Sequence, residues 1–283
     1  MKKSNHPLVQ LLVMLAIALV MLLLSGIATA PIMLGGRSRL TMLAVQAVTQ
    51  LLTFLVPVVI MTTIYYRGSE REYYRLEFGS HSWYYGFVGA VVMLLFVPLN
   101  DWLTVWNDSW SLGRIGDFLR GIQSSTEGLV EDMMDTDTIV GLACNLLVVA
   151  LIPAICEEFF FRAGFQNLIQ KWVKNRHLAI WLTAFVFSMA HGEVFSFMPR
   201  FVMGALLGYL YVYGGSLLTN VIAHFVNNAL VVLLYWLVAR GVLDIDPQAP
   251  LALDWVLSAL CTMAGFAVLW VTFFYKNKDA IKD

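Results

Sequence analysis

Apolar stretches long enough to cross a hydrocarbon layer of ~30 Å recur along the whole chain. Eight can be drawn, at roughly 8–28, 41–65, 84–106, 138–158, 178–192, 198–213, 216–239 and 252–275. With 59% hydrophobic and 13% charged residues and a mean hydropathy of +0.73 over 283 residues, a soluble globular fold is excluded. The expected class is an all-α polytopic membrane protein of about eight transmembrane helices. The fifth and sixth stretches are short and share the interruption His191-Gly192-Glu193. No soluble portion splits off and no internal repeat is evident, so residues 1–283 read as a single integral-membrane domain.

Lys and Arg positions set the orientation. Lys2, Lys3, Arg67, Arg71, Arg75, Arg162, Lys171, Lys174, Arg176, Lys276, Lys278 and Lys282 fall on one side of an eight-helix arrangement, against Arg37, Arg39, Arg114, Arg120, Arg200 and Arg240 on the other. That bias puts both termini in the cytoplasm. Met1-Lys2-Lys3 before an apolar run ending Ala28-Thr29-Ala30 has the outline of a cleaved signal. The run is longer than a signal core, however, and Pro31 would follow the cut, so it reads as the first spanning helix. The formal net charge of −1 comes with no basic domain, so no nucleic-acid partner is expected. Cys144, Cys156 and Cys261 stand singly within spans and suggest neither a disulfide framework nor a thiolate zinc site.

Two loops have the periodicity of helices lying on a membrane surface. In 163–177, Phe165, Leu168, Ile169, Trp172 and Val173 form one face, with Lys171, Lys174 and Arg176 opposite. In 111–134, Leu112, Ile115, Phe118, Leu119 and Ile122 form a comparable stripe in an acid-rich setting. Trp83, Trp106, Trp181 and Trp255 near span ends suit an interfacial belt. Gly204 and Gly208 form a GxxxG spacing, a device for close helix packing.

The polar residues inside spans are concentrated in one part of the chain, about 137–240. A charge in hydrocarbon costs at least ~2.5–3.5 kcal/mol on insertion scales, so such residues normally serve a function. In Glu157-Glu158-Phe159-Phe160-Phe161-Arg162, Glu158 and Arg162 are i and i+4 with the acid first, the better order for an ion pair. Glu157 is turned ~100° away, so one carboxylate can pair with the arginine and leave the other free as a base. As a plain structural alternative, both acids mark a helix end. His191 follows Phe187 by four residues and on its own is more often a packing residue. His224 and Asn228 are stacked on one helix face, with Asn220 a turn earlier. They either join neighbouring helices or offer two donors to a developing oxyanion.

The ordered motifs EExxxR, FxxxH and HxxxN resemble the CPBP family of intramembrane proteases (CAAX-protease and bacteriocin-processing, also called Abi), related to the Rce1-type CAAX endopeptidases. The resemblance covers about 137–240 and implies an Rce1-like catalytic core of successive membrane helices there. It implies an intramembrane endopeptidase with Glu157 as the base that activates water and His191 assisting. Glu158 and Arg162 would be a supporting pair, and His224 with Asn228 the oxyanion-stabilising pair. No cofactor is favoured. A zinc-dependent version of the same protease would use Glu157, His191 and His224 as ligands, although there is no HExxH. The implied partners are the lipid bilayer and a peptide or membrane-protein substrate, a bacteriocin leader among them. Lys2-Lys3 and the short loops suit a bacterial inner membrane, and the depths of Glu157, His191 and His224 along their helices suit a cavity that faces the cytoplasm.

Two other classes of protein share some of these features. A proton-coupled transporter would use Glu157, Glu158, His191 and His224 as a relay, but transporters usually carry matching broken helices in both halves, and the first half here has no counterpart. A non-catalytic membrane partner, such as an immunity protein, would keep the fold without the reaction.

Overall fold

The structure is a computed structural model that describes residues 6–34, 38–247, 249–250 and 254–275. Among these residues it is helical throughout, with no strand. Lys2, Lys3, Arg37, Lys276, Lys278 and Lys282, which contribute to the charge bias, lie outside the described residues.

Helix α1 spans Pro7–Leu34. Helix α2 spans Arg39–Tyr65, and α3 is the single turn Glu70–Tyr74. Helices α4 (Ser80–Leu95) and α5 (Val97–Asp108) follow, and α6 is Gly113–Met134. The remaining helices are α7 (Ile139–Val173), α8 (Arg176–Met189), α9 (Val194–Gly214), α10 (Leu217–Ala239) and α11 (Trp255–Thr272). Six of them are long and apolar enough to span a membrane, or seven if the bent pair α4–α5 is one span.

The expected eight runs all coincide with helices, yet two are not ordinary spans. The third bends by 44° between α4 and α5, where Pro98 at the start of α5 removes a backbone donor. The fifth, α8, has 14 residues and so rises only ~21 Å, short of the hydrocarbon thickness.

The expectation of a separate surface helix at 163–177 is overturned. Helix α7 runs unbroken for 35 residues, with π-helical stretches at Leu146–Leu151 and Glu158–Gln166. No Gly-Pro or capping break interrupts it until Lys174 turns left-handed at φ 53°. Phe165, Leu168 and Ile169 are therefore core residues, packed with α1 and α2 through Met14, Val58 and Met61. Helix α6 fits its surface reading better, since Ile115, Phe118 and Ile122 are exposed on it.

Small residues bring the central helices together. Helix α4 packs along α10, and a Cβ on Gly89 would lie 3.3 Å from Ala223 Cβ. Helix α9 packs along α8, where a Cβ on Gly204 would lie 3.3 Å from Ala184 Cα. Helix α7 lies against both α9 and α10 through its middle, and this is where the polar residues meet.

Candidate active site

Glu158 is the best anchored of the predicted site residues. It is fully buried. Its Oε1 accepts from His224 Nδ1 at 2.9 Å, and its Oε2 accepts from Asn220 Nδ2 at 3.0 Å. Arg162 Nε lies 3.2 Å from the same Oε2, so the i, i+4 pair expected from the sequence is formed. Arg162 is itself wholly buried, donates to the Gly204 carbonyl at 3.3 Å, and sits over the Phe187 ring at 5.1 Å. Additional hydrogen bonds offset the cost of burying an ion pair, and here Asn220, His224 and the Gly204 carbonyl supply them.

Glu157 faces elsewhere. Its Oε1 accepts from Gln50 Nε2 of α2 at 3.3 Å, and its Oε2 is 3.9 Å from His224 Nε2. Two adjacent carboxylates thus occupy two environments. One is enclosed by Arg162, Asn220 and His224, and the other has a neutral amide on one side and an imidazole on the other. Helix α7 enters π-helical geometry at Glu158, a backbone change common at functional sites.

His224 connects the two acids. Its Nδ1–H is committed to Glu158, which leaves Nε2 for Glu157 and for the cavity that His224 lines. His191 lies just past the end of α8, with Nδ1–H donated to the Phe187 carbonyl at 2.8 Å and Nε2 left free. The Phe187 ring touches both histidines, with centroids 4.9 Å from His191 and 6.1 Å from His224. Asn227 Nδ2 donates to Asn228 Oδ1 at 3.3 Å, so the amide nitrogen of Asn228 is free to donate.

His191, His224, Asn227 and Asn228 line one cavity of about 430 Å³, with Asn100, Thr104 and Arg200 on its other walls. Arg200 is paired with Glu193. The structure therefore brings Glu157, Glu158, Arg162 and His224 into one cluster, and His191, His224 and Asn228 onto one cavity. Glu157 touches the cavity through His224 and is not itself among the lining residues.

The direction of the cavity differs from expectation. His224 is seven residues from the start of α10, and Asn227, Asn228 and Val231 continue away from that start. Ser196, Pro199 and Arg200 come from the first turns of α9. The lining thus belongs to the half of the bundle nearer α6, where Gln123 donates to Ser196 Oγ at 3.2 Å. The reason is local: α8 is short, so His191 and the α8–α9 connection fall inside that half.

The alternative zinc set was tested against the donor geometry. Among the described residues, no group of three or more His, Cys, Asp or Glu side chains is placed to hold a metal ion. The Nδ1 atoms of His191 and His224 are both engaged, and the Phe187 ring touches both histidines. Glu157, His191 and His224 as they stand do not form a ligand set.

Some contributors were not singled out from the sequence. Gln166 Nε2 donates to the Gly208 carbonyl at 3.2 Å, extending the Glu158–Arg162 ladder by another four residues. The GxxxG pair of α9 therefore does more than allow close packing, because its two carbonyls receive the Arg162 and Gln166 side chains. The signal was present as polar residues at i, i+4 and i+8 of an apolar helix. Gln50 shares an i, i+4 spacing with Gln46 in a long apolar run, but its partner Glu157 lies on another helix.

Fold and site together define a polytopic helical membrane protein with a buried acid–histidine cluster opening on a polar cavity. Residues 139–230 match the family model described as type II CAAX prenyl endopeptidase Rce1-like, and the CPBP resemblance is consistent with this match over that part of the chain. No curated protein and no solved structure matches the chain. The match supports a membrane-embedded protease of the CAAX-endopeptidase kind acting on a peptide or membrane-protein substrate.

Proposed function

We propose that this protein is an intramembrane endopeptidase that hydrolyses peptide bonds with a glutamate-activated water. The observation that carries the reading is the division of labour between the two acids, with Glu158 neutralised by Arg162 and Glu157 left facing His224 at 3.9 Å. Glu157 removes a proton from water as the water oxygen attacks the peptide carbonyl. His191 holds that water through Nε2. The tetrahedral oxyanion accepts from Asn228 Nδ2 and His224 Nε2. The carbon–nitrogen bond then breaks, and Glu157 returns the proton to the leaving amine.

The scheme itself sets which ring nitrogen of His224 serves which partner. Its Nδ1–H is donated to Glu158, so it donates from Nε2 only as the imidazolium. The carboxylates on its two sides balance that charge. Glu158, Arg162 and Asn220 act by holding the imidazole in position. The catalytic core is taken as about 137–240 within a single membrane domain.

The Lys and Arg bias supports cytoplasmic termini in a bacterial inner membrane. In that orientation the cavity lining lies in the outer half of the bundle, and a peptide or membrane-protein segment reaches it from there.

The test is hydrolysis of a quenched peptide library by detergent-purified protein, with and without chelator, beside metal content by mass spectrometry. Cleavage by metal-free protein that is lost in Glu157→Ala is the expected result. Stoichiometric zinc with chelator-sensitive cleavage would recast Glu157, His191 and His224 as ligands. Full activity in Glu157→Ala would overturn the assignment.

A further inference from the structure

We infer that Gln50 is a positioning residue for Glu157, contributed by the half of the chain that carries none of the family motifs. This rests on the reading of Glu157 as the base.

Three observations on α2 and α7 converge. Gln50 Nε2 donates to Glu157 Oε1 at 3.3 Å across 107 positions of sequence, while His224 Nε2 lies 3.9 Å from the other oxygen of this carboxylate. The first α-helical part of α2 ends at Gln50, Leu51–Leu55 is π-helical, and α-helix resumes at Val56. The π-helical stretch packs against α7 on both sides of Glu157, and α7 itself turns π-helical one residue later. π-Bulges cluster at functional sites because they re-aim a side chain without ending the helix. Here two of them flank one contact between two helices.

An apolar side chain of similar size at this position would leave the Glu157 oxygen without its amide donor.

The variant is Gln50→Leu, measured with a peptide that the wild-type protein cleaves. A hydrogen bond to a charged group is worth enough to predict a fall in kcat of ~10-fold or more, with KM changed less than ~2-fold. In a Glu157→Ala background the same substitution should change residual activity by less than ~2-fold, because the group it positions is gone. The second readout needs no activity. An apolar carbodiimide, dicyclohexylcarbodiimide, modifies protonated carboxyls in membranes, and the labelling rate of Glu157 is read by peptide mass spectrometry. Gln50→Leu should raise that rate severalfold, because the carboxyl loses the amide N–H that holds and covers its Oε1. Unchanged kcat together with unchanged labelling would overturn the inference, as would a matching loss in the Glu157→Ala background. If the wild-type protein cleaves nothing yet labelling still rises in Gln50→Leu, the contact stands and the protease reading fails.

Discussion

Two polar regions meet at His224, and they are built in opposite ways. Toward α9, the ladder Glu158, Arg162 and Gln166 is sealed: all three side chains are fully buried and are received by Asn220 and the carbonyls of Gly204 and Gly208. Toward α4, α5 and α8, His191 and Asn228 border an open cavity and keep donor or acceptor atoms free. The contrast teaches how a membrane protein keeps ionisable groups without losing stability. The Glu158–Arg162 charges are enclosed and paired, and His191 and Asn228, which border the cavity, stand at its edge. Substitutions in the ladder should therefore be read in stability, and substitutions on the cavity side in activity.

The sharpest break of that contrast is Arg162→Met. Removing one partner of a buried pair leaves Glu158 uncompensated, and the expected loss is about 3–5 kcal/mol of stability. Thermal unfolding in detergent should show it as a large fall in midpoint, with poor recovery of folded protein. On the open side, Asn228→Ala should cost ~10²–10³ in kcat if its amide serves the oxyanion. The unfolding midpoint of that variant should match wild type, and a comparable loss of stability would erase the distinction between the two regions.

Smaller effects should sharpen it. A Cβ on Gly208 would meet Ile180 Cγ2 at 2.8 Å and Gln166 Oε1 at 3.0 Å, so Gly208→Ala should cost about 1–3 kcal/mol by overpacking. Gln166→Leu removes the last rung at Gly208 and should cost about 1 kcal/mol, with peptide cleavage near wild type. Both are read by thermal unfolding, and both should leave KM unchanged.

Much of this was legible in the chain. The eight apolar runs all fall on helices, but among the described residues only six helices, or seven spans counting the bent α4–α5 pair, are long and apolar enough to cross a membrane. The pairing of Glu158 with Arg162 follows from helical spacing alone. What the pattern did not reveal lies in contacts between helices. Nothing in the run 41–65 identifies Gln50, since its partner is on α7 and periodicity carries no information across helices. The unbroken α7 was read as two pieces because basic residues beyond Arg162 imitate a surface helix. The packing of Phe165, Leu168 and Ile169 against Met14 and Val58 overrides that appearance. The α4–α5 bend had a visible cause in Pro98, but a proline does not announce whether a span kinks or ends.

The most direct test of the account is a paired measurement on Glu157→Gln and Glu158→Gln, recording peptide cleavage and thermal unfolding on the same preparations. Glu157→Gln should abolish cleavage while unfolding like wild type, because an amide in its place keeps the size of the group and removes only the base. Glu158→Gln should unfold at distinctly lower temperature, because Arg162 loses its counter-charge. Equal stability losses in the two variants, or cleavage retained in Glu157→Gln, would contradict the claim that these neighbouring carboxylates do different jobs.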